Sequence, residues 1–141
     1  MPDKEYGCRG IAAGAAGGEL LISADDICFY VCDPKTGRII EDGHSLNGVD
    51  VSGKILVFPG GKGSSSVQLD GLYQLMLNGK SPGGMIVEYA DTILVTCAIL
   101  MKIPLVDRLP EEFYENAADG VLCRLDADKG TVALSATQKA L

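Results

Sequence analysis

Tryptophan is absent from this sequence, and phenylalanine and tyrosine bring the aromatic share to only 6%. Any core must therefore be largely aliphatic. Positive charge is also scarce: twelve basic residues stand against nineteen acidic ones, a net charge of -7, with no Lys/Arg stripe interleaved with aromatics. Such a chain lacks the electrostatic footprint of a nucleic-acid-binding protein. Long hydrophobic runs are missing too. The longest, Ile93 to Met101, is interrupted by Thr96 and falls far short of the ~20 apolar residues of a membrane helix. The opening MPDKEYGCRG has no basic-then-apolar order of a secretory signal. The sequence predicts a cytoplasmic protein with neither nucleic acid nor membrane as partner.

Five cysteines, Cys8, Cys28, Cys32, Cys97 and Cys123, form an odd set without the paired spacing of a disulfide framework, so reduced thiols are expected. Cys28 and Cys32 make a C-x3-C pair in the alternating, strand-like stretch ICFYVC, where a separation of four puts both on one face. Neither the C-x2-C spacing nor the further ligands of a self-contained zinc or iron–sulfur site are present. A metal, if needed, must come from elsewhere.

Glycine is plentiful, with 18 residues, which implies many tight turns and close backbone approaches. No repeat or interdomain linker interrupts the chain, so residues 1–141 read as a single domain. The first third, with GIAAGAAGGELLIS, ICFYV and the turn Asp33-Pro34-Lys35-Thr36-Gly37, reads as a glycine-rich β region. Lys54 to Phe58 (KILVF) is a buried strand by its continuous apolar run. Leu69, Leu72, Tyr73 and Met76 then recur at helical spacing, with Asn78-Gly79 as C-cap. MIVEY (85–89) is a strand, and TILVTCAILM (92–101) fits helix or strand by periodicity, its length favouring helix. IPLVD (103–107) is a strand, Pro110-Glu111-Glu112 opens a short helix, and GVLCRLDADKGTVAL closes the chain as a hairpin. The fold class expected is mixed α/β, a β/β/α sandwich.

Chemistry concentrates in Phe58-Pro59-Gly60-Gly61-Lys62-Gly63-Ser64-Ser65-Ser66. A buried strand delivers a glycine-rich loop with three hydroxyls onto a helix N-terminus, where free N–H groups and Lys62 favour an anion. The same serines would also serve as N-caps, and the residues alone leave both roles open. Lys62 is followed by Gly63, so the loop is not a P-loop. It lacks the G-x-S-x-G elbow, and the sole histidine, His44, lies in the separate segment EDGHSLNG, read as an exposed loop, so a Ser–His hydrolase has no support.

His44-Ser45-Leu46-Asn47-Gly48, Gly53-Lys54-Ile55-Leu56-Val57-Phe58-Pro59 and Gly61-Lys62-Gly63-Ser64-Ser65 follow one another in an order that resembles the small subunit, or swivelling domain, of the aconitase-X family. Phe29, Asp33-Pro34-Lys35-Thr36-Gly37, Ser81-Pro82 and Ile103-Pro104-Leu105-Val106-Asp107 extend the likeness over nearly the whole chain. The chain departs from the family pattern at Tyr30-Val31-Cys32, at Val67-Gln68-Leu69 and at Cys97. The resemblance implies a swivelling β/β/α domain, a sandwich or barrel with flanking helices, that closes as a lid over a large partner subunit. That partner would hold an iron–sulfur cluster of the 4Fe-4S type, and this chain would hold none. The implied activity is a hydro-lyase. The archaeal two-subunit form dehydrates (R)-5-phosphomevalonate to trans-anhydromevalonate 5-phosphate in a variant mevalonate route to isoprenoids, and bacterial relatives dehydrate cis-3-hydroxy-L-proline. By the match to aconitases, Ser64 would be the proton acceptor with Ser65 as reserve, while Lys62, Gly63 and Ser65 would bind substrate. The competing reading is an anion-binding module without catalysis.

Overall fold

The computed structural model describes residues 3–135. Eight strands form one mixed sheet in the order β1-β8-β7-β3-β4-β5-β6-β2. They are β1 (Lys4–Gly7), β2 (Arg9–Ala12), β3 (Ala15–Ile22), β4 (Ile55–Phe58), β5 (Gly84–Val87), β6 (Leu105–Asp107), β7 (Leu122–Asp126) and β8 (Thr131–Leu134). Three helices complete the fold: α1 (Ser65–Leu77), α2 (Thr92–Met101) and α3 (Glu111–Asn116). The fold is mixed α/β, as the sequence implies. Among the described residues, no helix is long and apolar enough to cross a membrane.

The central strands β3, β4, β5 and β6 run parallel, and the flanking pairs are antiparallel. The continuous apolar runs of β4 and β5 follow from burial on both faces. Ile55, Val57 and Ile86 turn to one cluster with Leu20, Val106, Phe113 and Leu125, while Leu56, Phe58, Met85 and Val87 turn to a second with residues of α1 and α2. The sheet curls so that β2, at one edge, lies against the chain just after β7. A Cβ on Gly10 would fall 1.9 Å from the Ala127 carbonyl oxygen. Arg9 donates to both carboxylate oxygens of the buried Asp107, at 2.9 and 2.7 Å, across the β2–β6 register.

TILVTCAILM is a helix because Asp91 caps it, its Oδ1 accepting the Leu94 N–H at 2.8 Å. Lys102 ends it in a left-handed conformation. Pro110 precedes α3 with Glu111 and Glu112 in the first turn, and the closing hairpin forms as β7 and β8. ICFYV departs from the expected strand. Phe29–Val31 forms a 3-10 turn, and the neighbouring residues make only isolated bridges, Ile27 with Gly61 and Cys32 with Ile39. The Phe29 N–H that a strand partner would take is given to a side chain of α1, Gln68, and the Phe29 ring meets Phe58 edge to face.

Helix α1 presses its backbone onto this turn through Gly71. A Cβ there would lie 2.2 Å from the Tyr30 nitrogen and 2.3 Å from the Phe29 carbonyl carbon, backbone atoms that cannot rotate away. In an open helix Gly→Ala stabilises by about 1 kcal/mol. Here Gly71→Ala is expected to destabilise by about 1–3 kcal/mol and to lower the melting temperature by roughly 5–10 °C. Thermal unfolding followed by circular dichroism checks this, and an unchanged or higher melting temperature would contradict the close packing.

Candidate active site

Three connections leave the carboxyl ends of the parallel strands together: the chain after β3, the β4–α1 loop and the β5–α2 loop. Ligands of α/β sheets bind at such an edge. The Pro59 carbonyl accepts the N–H groups of Glu88 and Tyr89 at 3.0 and 2.8 Å, which joins the last two connections. Ser23 N–H donates to the Val57 carbonyl at 2.8 Å and joins the first.

Each glycine of the β4–α1 loop answers to a different neighbour. Gly60 lies against Tyr89. Gly61 donates its N–H to Asp91 Oδ2 at 3.1 Å, and a Cβ there would sit 2.8 Å from Gln68 Nε2. Gly63 has φ +96°, a conformation that disfavours any side chain, and faces Cys28 Sγ at 3.0 Å from where a Cβ would be. The chain then enters α1 at Ser64.

Ser64 is the N-cap residue in extended conformation, yet its hydroxyl makes no capping hydrogen bond. Its carbonyl accepts the Gln68 N–H at 3.0 Å, the first bond of the helix, so the N–H groups of the first turn remain available to an anion. Ser64, Ser65 and Ser66 are all exposed. The capping alternative therefore does not account for Ser64.

Lys62 stands at the rim with its ammonium 2.5 Å from Glu41 Oε2. This contact, first of all, raises the lysine's pKa and keeps it charged. Both side chains are only partly exposed, and solvent screens their attraction. The other Glu41 oxygen, Oε1, is buried without a hydrogen-bond partner.

His44 is buried, not exposed as its loop setting suggests. Its Nδ1 accepts the Leu46 N–H at 2.9 Å, leaving Nε2 to donate to the Asp26 carbonyl at 2.9 Å. Ser45 continues the seam. Its Oγ accepts the Ala24 N–H at 3.1 Å, and its N–H donates to Asp25 Oδ2 at 2.8 Å. That backbone bond, before other causes, holds the Asp25 carboxyl below its usual range. The His-Ser-Leu-Asn-Gly segment thus supports residues 24–27, of which Ile27 pairs with the β4–α1 loop. It does not place His44 beside Ser64 as a base.

Lys62, Gly63, Ser64 and Ser65 are consecutive and occupy the end of the β4–α1 loop and the start of α1. Sequence reasoning missed Glu41, Gln68 and Asp91. Asp91 had a readable signal, an Asp before Thr92 and an apolar run. A buried glutamine one turn into a helix and a distant carboxylate carry none.

Cys28, Cys32, Cys97 and Cys123 are buried, and Cys8 is partly so. Among the described residues, no group of three or more His, Cys, Asp or Glu is placed to hold a metal ion. The described residues do not fit an iron–sulfur cluster. Burial pushes the Cys32 and Cys123 thiols up to about 12 and the Cys8 thiol to about 11. The folded chain is therefore expected to show less than about one reactive thiol towards a disulfide reagent near pH 8 within minutes, against all five after unfolding. Two or more fast thiols in the folded chain would contradict the buried setting of Cys28 and Cys32.

Comparison with known proteins places this geometry. A family model described as the aconitase X swivel domain matches residues 5–134. Relatives named phosphomevalonate dehydratase small subunit include one from Methanosarcina acetivorans, 43% identical over 127 residues, covering 89% of this chain and 88% of the relative. Another, from Methanocella arvoryzae, is 44% identical over 126 residues, covering 89% and 95%. The crystal structure of holo aconitase X from Thermococcus kodakaraensis superposes with a TM-score of 0.83 at 37% identity, covering 93% of this chain and 98% of that one.

Proposed function

We propose that this chain, which belongs to the aconitase X swivel-domain family, is the small subunit of a heteromeric hydro-lyase that dehydrates (R)-5-phosphomevalonate to trans-anhydromevalonate 5-phosphate. Supporting this are the relatives at 37–44% identity named phosphomevalonate dehydratase small subunit. A small subunit implies a large one, and the iron–sulfur cluster that the family suggests has its place there.

The observation that carries the catalytic reading is the unspent Ser64 hydroxyl at the mouth of α1. Dehydration requires a base to take a carbon-bound proton while hydroxide departs from the neighbouring carbon. A serine hydroxyl in water is too weakly acidic to be that base. Held as an alkoxide it becomes competent, and three features of this chain favour the alkoxide: the open N–H groups of the first turn, the positive end of a 13-residue helix, and the Lys62 ammonium. All three gain strength when water is excluded. Ser64 is exposed in this chain by itself, so the exclusion falls to closure against the large subunit.

Lys62 and the loop amides also suit the substrate, which carries a phosphate and a carboxylate. The proton taken from carbon passes to the Ser64 oxygen and later to solvent when the lid opens. Ser65, the first residue of α1, contributes its N–H to the anion and stands as the reserve base. In the complex of both subunits, Ser64→Ala is expected to lower kcat by about 10²- to 10⁴-fold with assembly intact, and Ser65→Ala by about tenfold or less. Steady-state turnover of phosphomevalonate checks this. Near-native kcat in Ser64→Ala would remove the serine from the role of base.

A further inference from the structure

We infer that Gln68 is a positioning residue for the catalytic loop, the side chain through which helix α1 fixes Ser64 and Lys62 relative to each other. The inference rests on the reading of Ser64 as the base.

Gln68 lies four residues beyond Ser64, at 1% exposure. Its main-chain N–H donates to the Ser64 carbonyl at 3.0 Å. Its side chain faces inward: Oε1 accepts the Phe29 N–H at 2.6 Å, and Nε2 donates to the Ile27 carbonyl at 3.1 Å. The Ile27 carbonyl also accepts the Lys62 N–H at 3.3 Å, and the Ile27 N–H donates to the Gly60 carbonyl at 3.1 Å. One residue thus closes a circuit that runs from Ser64 through Gln68 to Ile27 and on to Lys62. A chain of hydrogen bonds of this kind constrains both ends of the three-residue segment Lys62-Gly63-Ser64.

The neighbouring glycines are spaced to admit the amide. A Cβ on Gly61 would meet Nε2 at 2.8 Å, and Gly71, three residues further along α1, lets the helix approach the Phe29–Tyr30 backbone closely enough for Oε1 to reach. A buried primary amide gives up hydration that an apolar side chain of the same length never had. Both of its polar ends are matched to backbone, so the bonds define a geometry more than they fill space. General-base catalysis is sensitive to displacements of about 1 Å, which makes loop geometry the quantity at stake.

Two variants test the inference in the assembled two-subunit enzyme with saturating phosphomevalonate. Gln68→Met keeps length and loses both bonds. Gln68→Glu keeps shape and the bond from Phe29, and when ionised sets a carboxylate against the Ile27 carbonyl. Both are expected to lower kcat by about 10- to 100-fold with KM changed by less than about threefold. For Gln68→Glu, the ratio of its kcat to that of the native enzyme should rise as pH falls from about 8 to about 6, because a buried, protonated carboxyl again donates to Ile27. If Gln68→Met fails to fold, this pH-dependent recovery still decides. Assembled variants that turn over within about threefold of native at every pH would overturn the inference and leave Gln68 a structural residue. Ser64→Ala, measured alongside, separates the two readings: its loss of activity beside normal Gln68 variants sinks the positioning role alone, whereas its full activity beside impaired Gln68 variants sinks the base assignment and leaves the positioning of the loop standing.

Discussion

The pairing of Ile27 with the loop at Gly60–Lys62 is the constraint on which the site depends. A short parallel bridge, made of the Ile27 N–H to Gly60 and the Lys62 N–H to Ile27, extends the order of the sheet beyond the end of β4. The loop is thereby held as the edge of a scaffold, although no regular strand includes it. Its backbone is further fixed by Asp91, which accepts from Gly61 with one oxygen and caps α2 with the other. Helices α1 and α2 and the segment after β3 thus converge on four residues. Preorganisation of this kind is what the proposed serine base would need, since it removes reorganisation at the moment of reaction.

The same constraint explains the choice of residues around the loop. Gly61 and Gly63 are required because Gln68 and Cys28 occupy the space a side chain would need. Cys28 serves as the surface on which Gly63 rests, a packing role that suits a buried thiol. The His44 and Ser45 segment stands behind Asp25 and Asp26 and holds the first connection in place. Two stretches of sequence that look like one signature are therefore one structure, joined through residues 23–27.

Much of this was legible in the sequence, and the parts that were not have physical reasons. KILVF and MIVEY announce β4 and β5, buried on both faces over Ile55–Phe58 and Gly84–Val87, although Glu88 and Tyr89 lie beyond the strand and are exposed, and the serine loop shows itself by glycine and hydroxyl density. Helix α2 is apolar all round, with Leu94, Cys97 and Ala98 fully inside, so its periodicity could not separate helix from strand; the Asp91 cap decides it. ICFYVC alternates like a strand, but alternation reports only which side chains are buried. The competing bond from Phe29 to Gln68, 39 residues away, sets the backbone. His44 sits among turn residues and is buried against residues 24–27, its Nε2 bonded to the Asp26 carbonyl 18 residues away, a contact that sequence order does not reveal.

Ser64 is exposed two residues from a lysine paired with a carboxylate, and in the proposed function both act only once the partner subunit has excluded water. The central claim is that this chain completes a dehydratase acting on a phosphorylated substrate. The most direct measurement is dehydration of (R)-5-phosphomevalonate and of cis-3-hydroxy-L-proline by the large subunit with and without this chain. Turnover is expected only when both chains are combined, with kcat/KM at least about 100-fold higher for phosphomevalonate. A large subunit equally active by itself, or a combined enzyme that prefers hydroxyproline, would contradict it.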